Sequence, residues 1–200
     1  MSRASRLLAF VAVVALGAVG TDAHAGLVTY VAALNGPSES PSNSSPGNGF
    51  ALVDIDTDAG TMRVFIGFSD LTTPSTASHI HSPTTTPGSG TASIATTVPT
   101  FPGFPLGVTN GVYLHTFDLL DASTYNPAFI TANGGTVAAA STAFLAQLAE
   151  GKAYVNVHST AFPAGEIRGF LQAIPEPTSL ALMAFGGLGV ALAARRRSGR

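Results

Sequence analysis

Between residues 26 and 174 the chain reads as short runs of apolar positions separated by clusters of glycine, proline, serine, threonine and asparagine. Leu27 to Leu34 alternates loosely and stops at Asn35-Gly36-Pro37. The stretch Pro37 to Gly49 is rich in turn-forming residues and is expected to be an exposed loop. Phe50 to Asp56 and Met62 to Phe68 alternate apolar with polar, the pattern of strands with one buried face. Thr57-Asp58-Ala59-Gly60 between them predicts a hairpin turn. A short strand at His79-Ile80-His81 precedes a long Pro/Thr/Gly loop, and Val112 to Leu119 predicts the next strand.

The pattern then changes period. Asn126-Pro127 is a helix start and Asn133-Gly134-Gly135 a stop, which predicts one short helix. A second helix is predicted from Ala138 to Glu150, with Phe144, Leu145 and Leu148 on one face and Gly151 as its cap. Tyr154 to His158 and Glu166 to Gln172 close the domain as two more strands. The expected fold class is all-β, an antiparallel β-sandwich with two short helices inserted before the last hairpin.

Composition supports a folded, turn-rich β protein over a disordered one: 46% of the 200 residues are hydrophobic and only 10% charged, with 22 Gly and 13 Pro. The charges are unevenly placed. Six of the nine basic residues lie at the ends: Arg3, Arg6, Arg195, Arg196, Arg197 and Arg200. Between residues 26 and 174, Arg63, Lys152 and Arg168 face nine acidic residues, leaving that stretch six charges negative. Such a domain has no grip on a phosphate backbone, so no nucleic-acid partner is expected. The absence of cysteine excludes disulfides, thiolate metal sites and thiol nucleophiles.

The two ends read as addresses. Residues 1–25 carry a positive start (Arg3, Arg6), an apolar run from Leu7 to Val19, and Ala23-His24-Ala25, an A-x-A cleavage site. They predict a signal peptide cut after Ala25. At the other end, Pro175-Glu176-Pro177 precedes an apolar stretch from Leu180 to Ala194, then Arg195-Arg196-Arg197. That order over residues 175–200 resembles the PEP-CTERM sorting signal of Gram-negative bacteria. The resemblance implies an exosortase-type processing enzyme as partner and a membrane anchor through the C-terminal hydrophobic helix before processing. The arginines would stay on the cytoplasmic side. It also implies an exported protein that ends at the cell surface or outside the cell, with extracellular polysaccharide or matrix protein as partner.

Residues 26–174 between these signals resemble a CHRD (chordin-type) domain. The matching segments are Leu34-Asn35-Gly36-Pro37-Ser38-Glu39, the paired strands around Asp54 and Arg63, and Asp70-Leu71 leading to His79-Ile80-His81. The longest runs from Gly151-Lys152-Ala153-Tyr154-Val155-Asn156-Val157-His158-Ser159 through Phe162-Pro163-Ala164-Gly165-Glu166-Ile167-Arg168-Gly169. The pattern departs at Ser82, where the family has Gly, and at Ser159, where it has Thr. Because the family has no agreed enzymatic activity, the resemblance implies a non-enzymatic surface or matrix module with no established cofactor.

Candidate chemistry rests on histidines. His79 and His81 share one face of a strand, His158 shares a face with Asn156 and Tyr154, and His115 with Tyr113 and Phe117. If the strands are neighbours, three or four imidazoles converge, a donor set suited to copper or zinc. A His-x-His strand completed by a late-strand histidine is similar to copper–zinc superoxide dismutases, which are Greek-key β-sandwiches. The competing expectation is that these are surface or loop-bracing histidines, hydrogen-bonded with Asn156 and nearby backbone. Glu166 and Arg168 share a face of the last strand and are expected to form a local ion pair or to brace the preceding turn. Asp54, Asp56 and Asp58 with Gly60 superficially resemble a calcium loop. The position needing a bidentate Glu is Phe65, however, and the flanks are strands, so a hairpin with outward carboxylates is expected. No G-x-S-x-G, H-E-x-x-H or phosphate-loop motif is present, so no catalytic residues are assigned.

Overall fold

The computed structural model describes residues 26–174. The expected signal peptide (with Ala23 and Ala25) and the sorting tail (with Pro175, Glu176, Pro177 and Arg195 to Arg197) lie outside the described residues. Among the described residues no helix is long and apolar enough to cross a membrane.

Three strands of nine residues each form a meander: β1 (Leu27–Asn35), β2 (Asn48–Asp56) and β3 (Thr61–Ser69). The ladders run without slippage, from Leu27 opposite Asp56 to Asn35 opposite Asn48, and from Asn48 opposite Ser69 to Asp56 opposite Thr61. Register follows from the alternation, because a one-residue slip would turn every apolar side chain to solvent. Tyr30, Ala32, Leu34, Ala51, Val53, Ile55, Met62, Val64 and Ile66 accordingly all point into the core. The hairpin turn forms where it was expected. Asp56 Oδ1 accepts the backbone N–H groups of Asp58 and Ala59 at 3.0 and 2.8 Å, and Gly60 takes the left-handed conformation that the turn requires. Asp54 pairs with Arg63 at 2.6 Å.

The chain then crosses to the far end of the sheet for β4 (Ser75–His81) and returns beside β3 as β5 (Gly111–Asp118). Helices α1 (Pro127–Ala132) and α2 (Val137–Ala149) follow, capped by the side chains of Asn126 and Thr136. The last strands are β6 (Tyr154–Ser159), β7 (Ile167–Phe170) and β8 (Gln172–Ala173). β7 and β8 share one register against β1, with Arg168 opposite Asn35, Gln172 opposite Val31 and Ala173 opposite Tyr30.

The antiparallel architecture and the two short helices match expectation, but the sheet is a single hydrogen-bonded path, β4-β6-β7-β1-β2-β3-β5, with β8 beside β1. It curls on itself, so Ile80, Val155 and Ile167 of one arm share a core with Val53, Val64 and Ile66 of the other.

Of the two irregular segments, one differs from its expected character and the other is the expected loop, packed against the sheet. Residues 37–49 are not an exposed loop throughout: Glu39 and Gly47 are buried, and Asn43 Nδ2 donates to the Glu166 carbonyl at 3.1 Å. Residues 82–110 contain no strand or helix, yet they close the β4 edge. The N–H of Ala95 bonds the Ile80 carbonyl and that of Phe101 bonds the Ser78 carbonyl. Phe101 then packs on Tyr113 and Phe117, with ring centroids 5.6 and 5.4 Å apart. From Ser78 to His81, β4 therefore has both faces buried, and β6 has them buried throughout.

The expected Glu166–Arg168 pair does not form. Glu166 Oε1 instead accepts from the Ser45 hydroxyl and the Thr72 N–H. Although burial works against its charge, such donors outweigh it and hold the carboxyl below its ordinary range. Arg168 turns into the covered face. Its Nε donates to the Ser38 carbonyl and its Nη1 to the Gly90 carbonyl at 3.1 Å. Glu39 lies 3.8 Å away as counter-charge, and the guanidinium sits 4.8 Å above the Tyr154 ring. This one side chain fastens both irregular segments to the sheet.

Arg168→Met should therefore destabilise the protein by about 3 kcal/mol, the scale for leaving one member of a buried pair alone. Arg63→Met, in a pair whose arginine side chain is 57% exposed, should cost less than about 1 kcal/mol. Urea denaturation of both variants checks the contrast, and equal losses would remove Arg168 from its fastening role.

Candidate functional site

The β4–β6 ladder sets Ala77 opposite His158, His79 opposite Asn156, and His81 opposite Tyr154. Side chains two apart in a strand share a face. His79, His81, Tyr154, Asn156 and His158 therefore form one patch, on the side of the sheet that residues 82–110 cover. The opposite side sends Ile80, Val155 and Val157 into the hydrophobic core.

His79, His81 and His158 come together with one ring nitrogen each, all within 4.8 Å of one another. They are 3%, 8% and 9% exposed, so they are not surface histidines. His115 is not in the group. It stands half-buried on β5, at the other end of the sheet path, between Tyr113 and Phe117 at centroid distances of 6.2 and 4.6 Å.

Backbone carbonyls set the tautomers. His79 Nε2 lies 2.6 Å from the Pro99 oxygen, His81 Nδ1 lies 2.9 Å from that of Ala92, and His158 Nδ1 lies 2.9 Å from that of Pro163. A carbonyl can only accept, so each of these nitrogens carries the proton. The remaining nitrogens, Nδ1 of His79 and Nε2 of His81 and His158, then hold lone pairs. Two of them, His79 Nδ1 and His158 Nε2, are 3.3 Å apart.

The rings are held neutral as well as oriented. Burial pushes the His79 imidazole down to about 4. The Pro99 carbonyl opposes that shift, while the neighbouring His158 and His81 add to it. Burial also lowers His81 and His158. The His81 ring lies flat on Tyr154, 4.8 Å between centroids and 4° between planes, so its rotation is restricted.

Such an arrangement can hold a metal ion. Neutral imidazoles are the ligating form, and a carbonyl behind each ring is the usual outer support of a metal-bound histidine. Zinc–nitrogen bonds of about 2.0–2.1 Å at tetrahedral angles place neighbouring donors roughly 3.3 Å apart, the separation already present between His79 and His158.

The strand faces made the three histidines visible in the sequence. The three carbonyls, and the buried polar groups behind Asn156, were not visible, because they belong to segments with no periodic pattern. The sequence offered two hints, that Asn156 shares its strand face with His158 and that the histidines could brace loops through nearby backbone, but neither names the carbonyls.

A family model for the PEP-CTERM protein-sorting motif matches residues 173–197. A motif of that kind marks an exported chain that is anchored in the membrane, processed by an exosortase-type enzyme and carried to the cell surface. No curated protein and no solved structure matches the chain. The family model for the CHRD domain matches residues 30–171, most of the chain and all three clustered histidines, and the protein belongs to the CHRD-domain family.

Proposed function

We propose that this chain is a non-enzymatic surface or matrix module whose CHRD domain holds one transition-metal ion, copper or zinc, on His79, His81 and His158. The observation that carries this reading is the convergence of three buried imidazoles, one ring nitrogen of each within 4.8 Å of the others, each ring held by a backbone carbonyl at one nitrogen. Facing lone pairs repel, and a cation between them turns that repulsion into bonding. A similar His-x-His strand completed by a late-strand histidine supports copper as well as zinc.

The burial favours retention of the metal over turnover. A catalytic metal keeps an open coordination position, whereas these imidazoles lie beneath residues 82–110 and the Phe162-Pro163-Ala164-Gly165 turn. In this reading the ion braces a module that faces extracellular polysaccharide or matrix protein once the sorting tail has been processed.

Calorimetric titration of the full chain with copper(II) and zinc(II), alongside metal analysis, tests the assignment. One bound equivalent is expected, lost in the His79→Ala/His81→Ala variant. No stoichiometric uptake, or uptake unchanged by the substitutions, would overturn it.

A second prediction concerns the metal-free protein. His79 folds with its pKa lowered to about 4 from 6.5, so the unfolded chain binds the extra proton first. The groups facing it, His81 and His158, are shifted in the same direction. Stability is therefore full above the unfolded value and is lost as pH falls towards about 4. Thermal unfolding in the presence of chelator should show the decline, and His79→Phe should flatten it.

A further inference from the structure

Resting on the metal-binding reading, we propose that the Asn156 side-chain oxygen is the fourth donor of the site, and that Glu39 holds the amide in the orientation this requires. Three imidazoles leave a tetrahedral ion one donor short, and a closed site must find the fourth from the protein. The patch contains one further side chain that points the right way.

Asn156 is opposite His79 across the ladder and lies on the same face as His158, two residues away. It is buried, and its Oδ1 has no hydrogen-bond partner among the described residues. Nor has His81 Nε2, the lone-pair nitrogen of that ring. The amide is near enough to His81 to hydrogen-bond the ring when it is protonated. In the neutral ring the same approach sets an oxygen lone pair against a nitrogen lone pair. Two buried acceptors left unsatisfied side by side are costly, and a cation that both can ligate removes the cost.

The amide's other end explains its orientation. A side chain at Gly165 would run into both Glu39 Oε1 and Asn156 Nδ2, so the carboxylate and the amide nitrogen line the same small space against that glycine. Gly165 has a φ of +132°, a backbone conformation open to glycine, and the absence of a side chain there lets the two groups approach. Glu39 Oε1, like Asn156 Oδ1, has no hydrogen-bond partner among the described residues. An ionised Glu39 can only accept, so in the metal-bound site it would draw the NH2 of Asn156 towards it and leave the oxygen to the histidines. Burial raises the Glu39 carboxyl, and the Arg168 guanidinium, 3.8 Å away, opposes that rise and favours the ionised form. Asn156 is thus the donor and Glu39 a positioning residue behind it.

Cobalt(II) is the probe, because its visible absorption reports coordination number and donor type. The full chain is titrated with cobalt(II) beside Asn156→Leu, Asn156→Asp and Glu39→Gln. The wild type should show the intense bands of a four-coordinate ion. Asn156→Leu should bind at least about tenfold more weakly with an altered spectrum, and Glu39→Gln should weaken binding on the order of tenfold, as outer-shell losses do. Asn156→Asp keeps an oxygen in place and should bind more tightly, with shifted bands as the donor becomes a carboxylate. Unchanged affinity and spectrum in Asn156→Leu, or an unchanged spectrum in Asn156→Asp, would overturn the fourth-donor assignment while leaving the three histidines intact. A wild type that takes up no cobalt(II) would instead overturn the metal reading itself.

Discussion

A buried guanidinium stands where three parts of the chain meet. Arg168 projects from β7, bonds the carbonyls of Ser38 and Gly90, and lies over Tyr154. Those contacts dock residues 36–47 and 82–110 onto the same face of β4, β6 and β7. The candidate site depends on that docking because two of its three orienting carbonyls, Pro99 and Ala92, belong to residues 82–110, while the third, Pro163, comes from the turn between β6 and β7. Lift the covering loops and the imidazoles lose their tautomers, their dryness and their mutual approach together. Arg168 reaches the site a second way as well: Tyr154 has the guanidinium against its ring and His81 stacked flat upon it. The strand order β4-β6-β7 puts Tyr154 in the middle, so the three groups form one stack across the sheet.

Where one face of the sheet is buried, the sequence was easy to read. β2 and β3 alternate cleanly, and the turn chemistry between them at Asp56 to Gly60 is local, so that hairpin could be inferred from neighbouring residues, whereas β1 alternates only loosely. The helix caps at Asn126 and Thr136 are likewise local. Legibility ended where the sheet is covered on both sides. β4 extends back to Ser75, but Ser75-Thr76-Ala77-Ser78 is small or polar at every position, so no apolar alternation marks it as a strand. The long Pro/Thr/Gly stretch is the loop its composition suggested, but nothing in that composition says that Phe101 will plug the space beside Tyr113 and Phe117. Glu166 and Arg168 looked like partners because they share a strand face. Their real partners, Ser45 and Thr72 for one and Glu39 for the other, are more than ninety residues away.

The same covering explains why the histidine trio was visible as a set but not as a site. Strand periodicity places His79 with His81, and His158 with Asn156, on common faces. It does not say whether those faces meet water; the reading of the histidines as loop-bracing agrees with their carbonyl contacts, and the reading of them as surface groups does not agree with their burial. Exposed imidazoles near their ordinary pKa would be half-protonated under mildly acidic conditions and would satisfy both nitrogens with solvent. Buried ones must be neutral, must find an acceptor for the single N–H, and must leave a lone pair facing whatever lies opposite. Here what lies opposite is another lone pair.

The absence of cysteine gives that geometry its physical point. An exported domain whose outer segments carry no regular structure commonly relies on disulfides to hold them, and this chain has none to form. Its alternatives are the Arg168 contacts and, on the reading proposed above, a metal ion gripped by histidines that are themselves anchored to the covering segments. Because the carbonyl contacts exist only when those segments are docked, an ion that prefers the oriented imidazoles also prefers the docked state. By mass action, an ion at a hundred times its dissociation constant adds about 2.7 kcal/mol to that state. That is comparable to the contribution of one disulfide, and it acts on the loops that the β-sheet's own hydrogen bonds leave free.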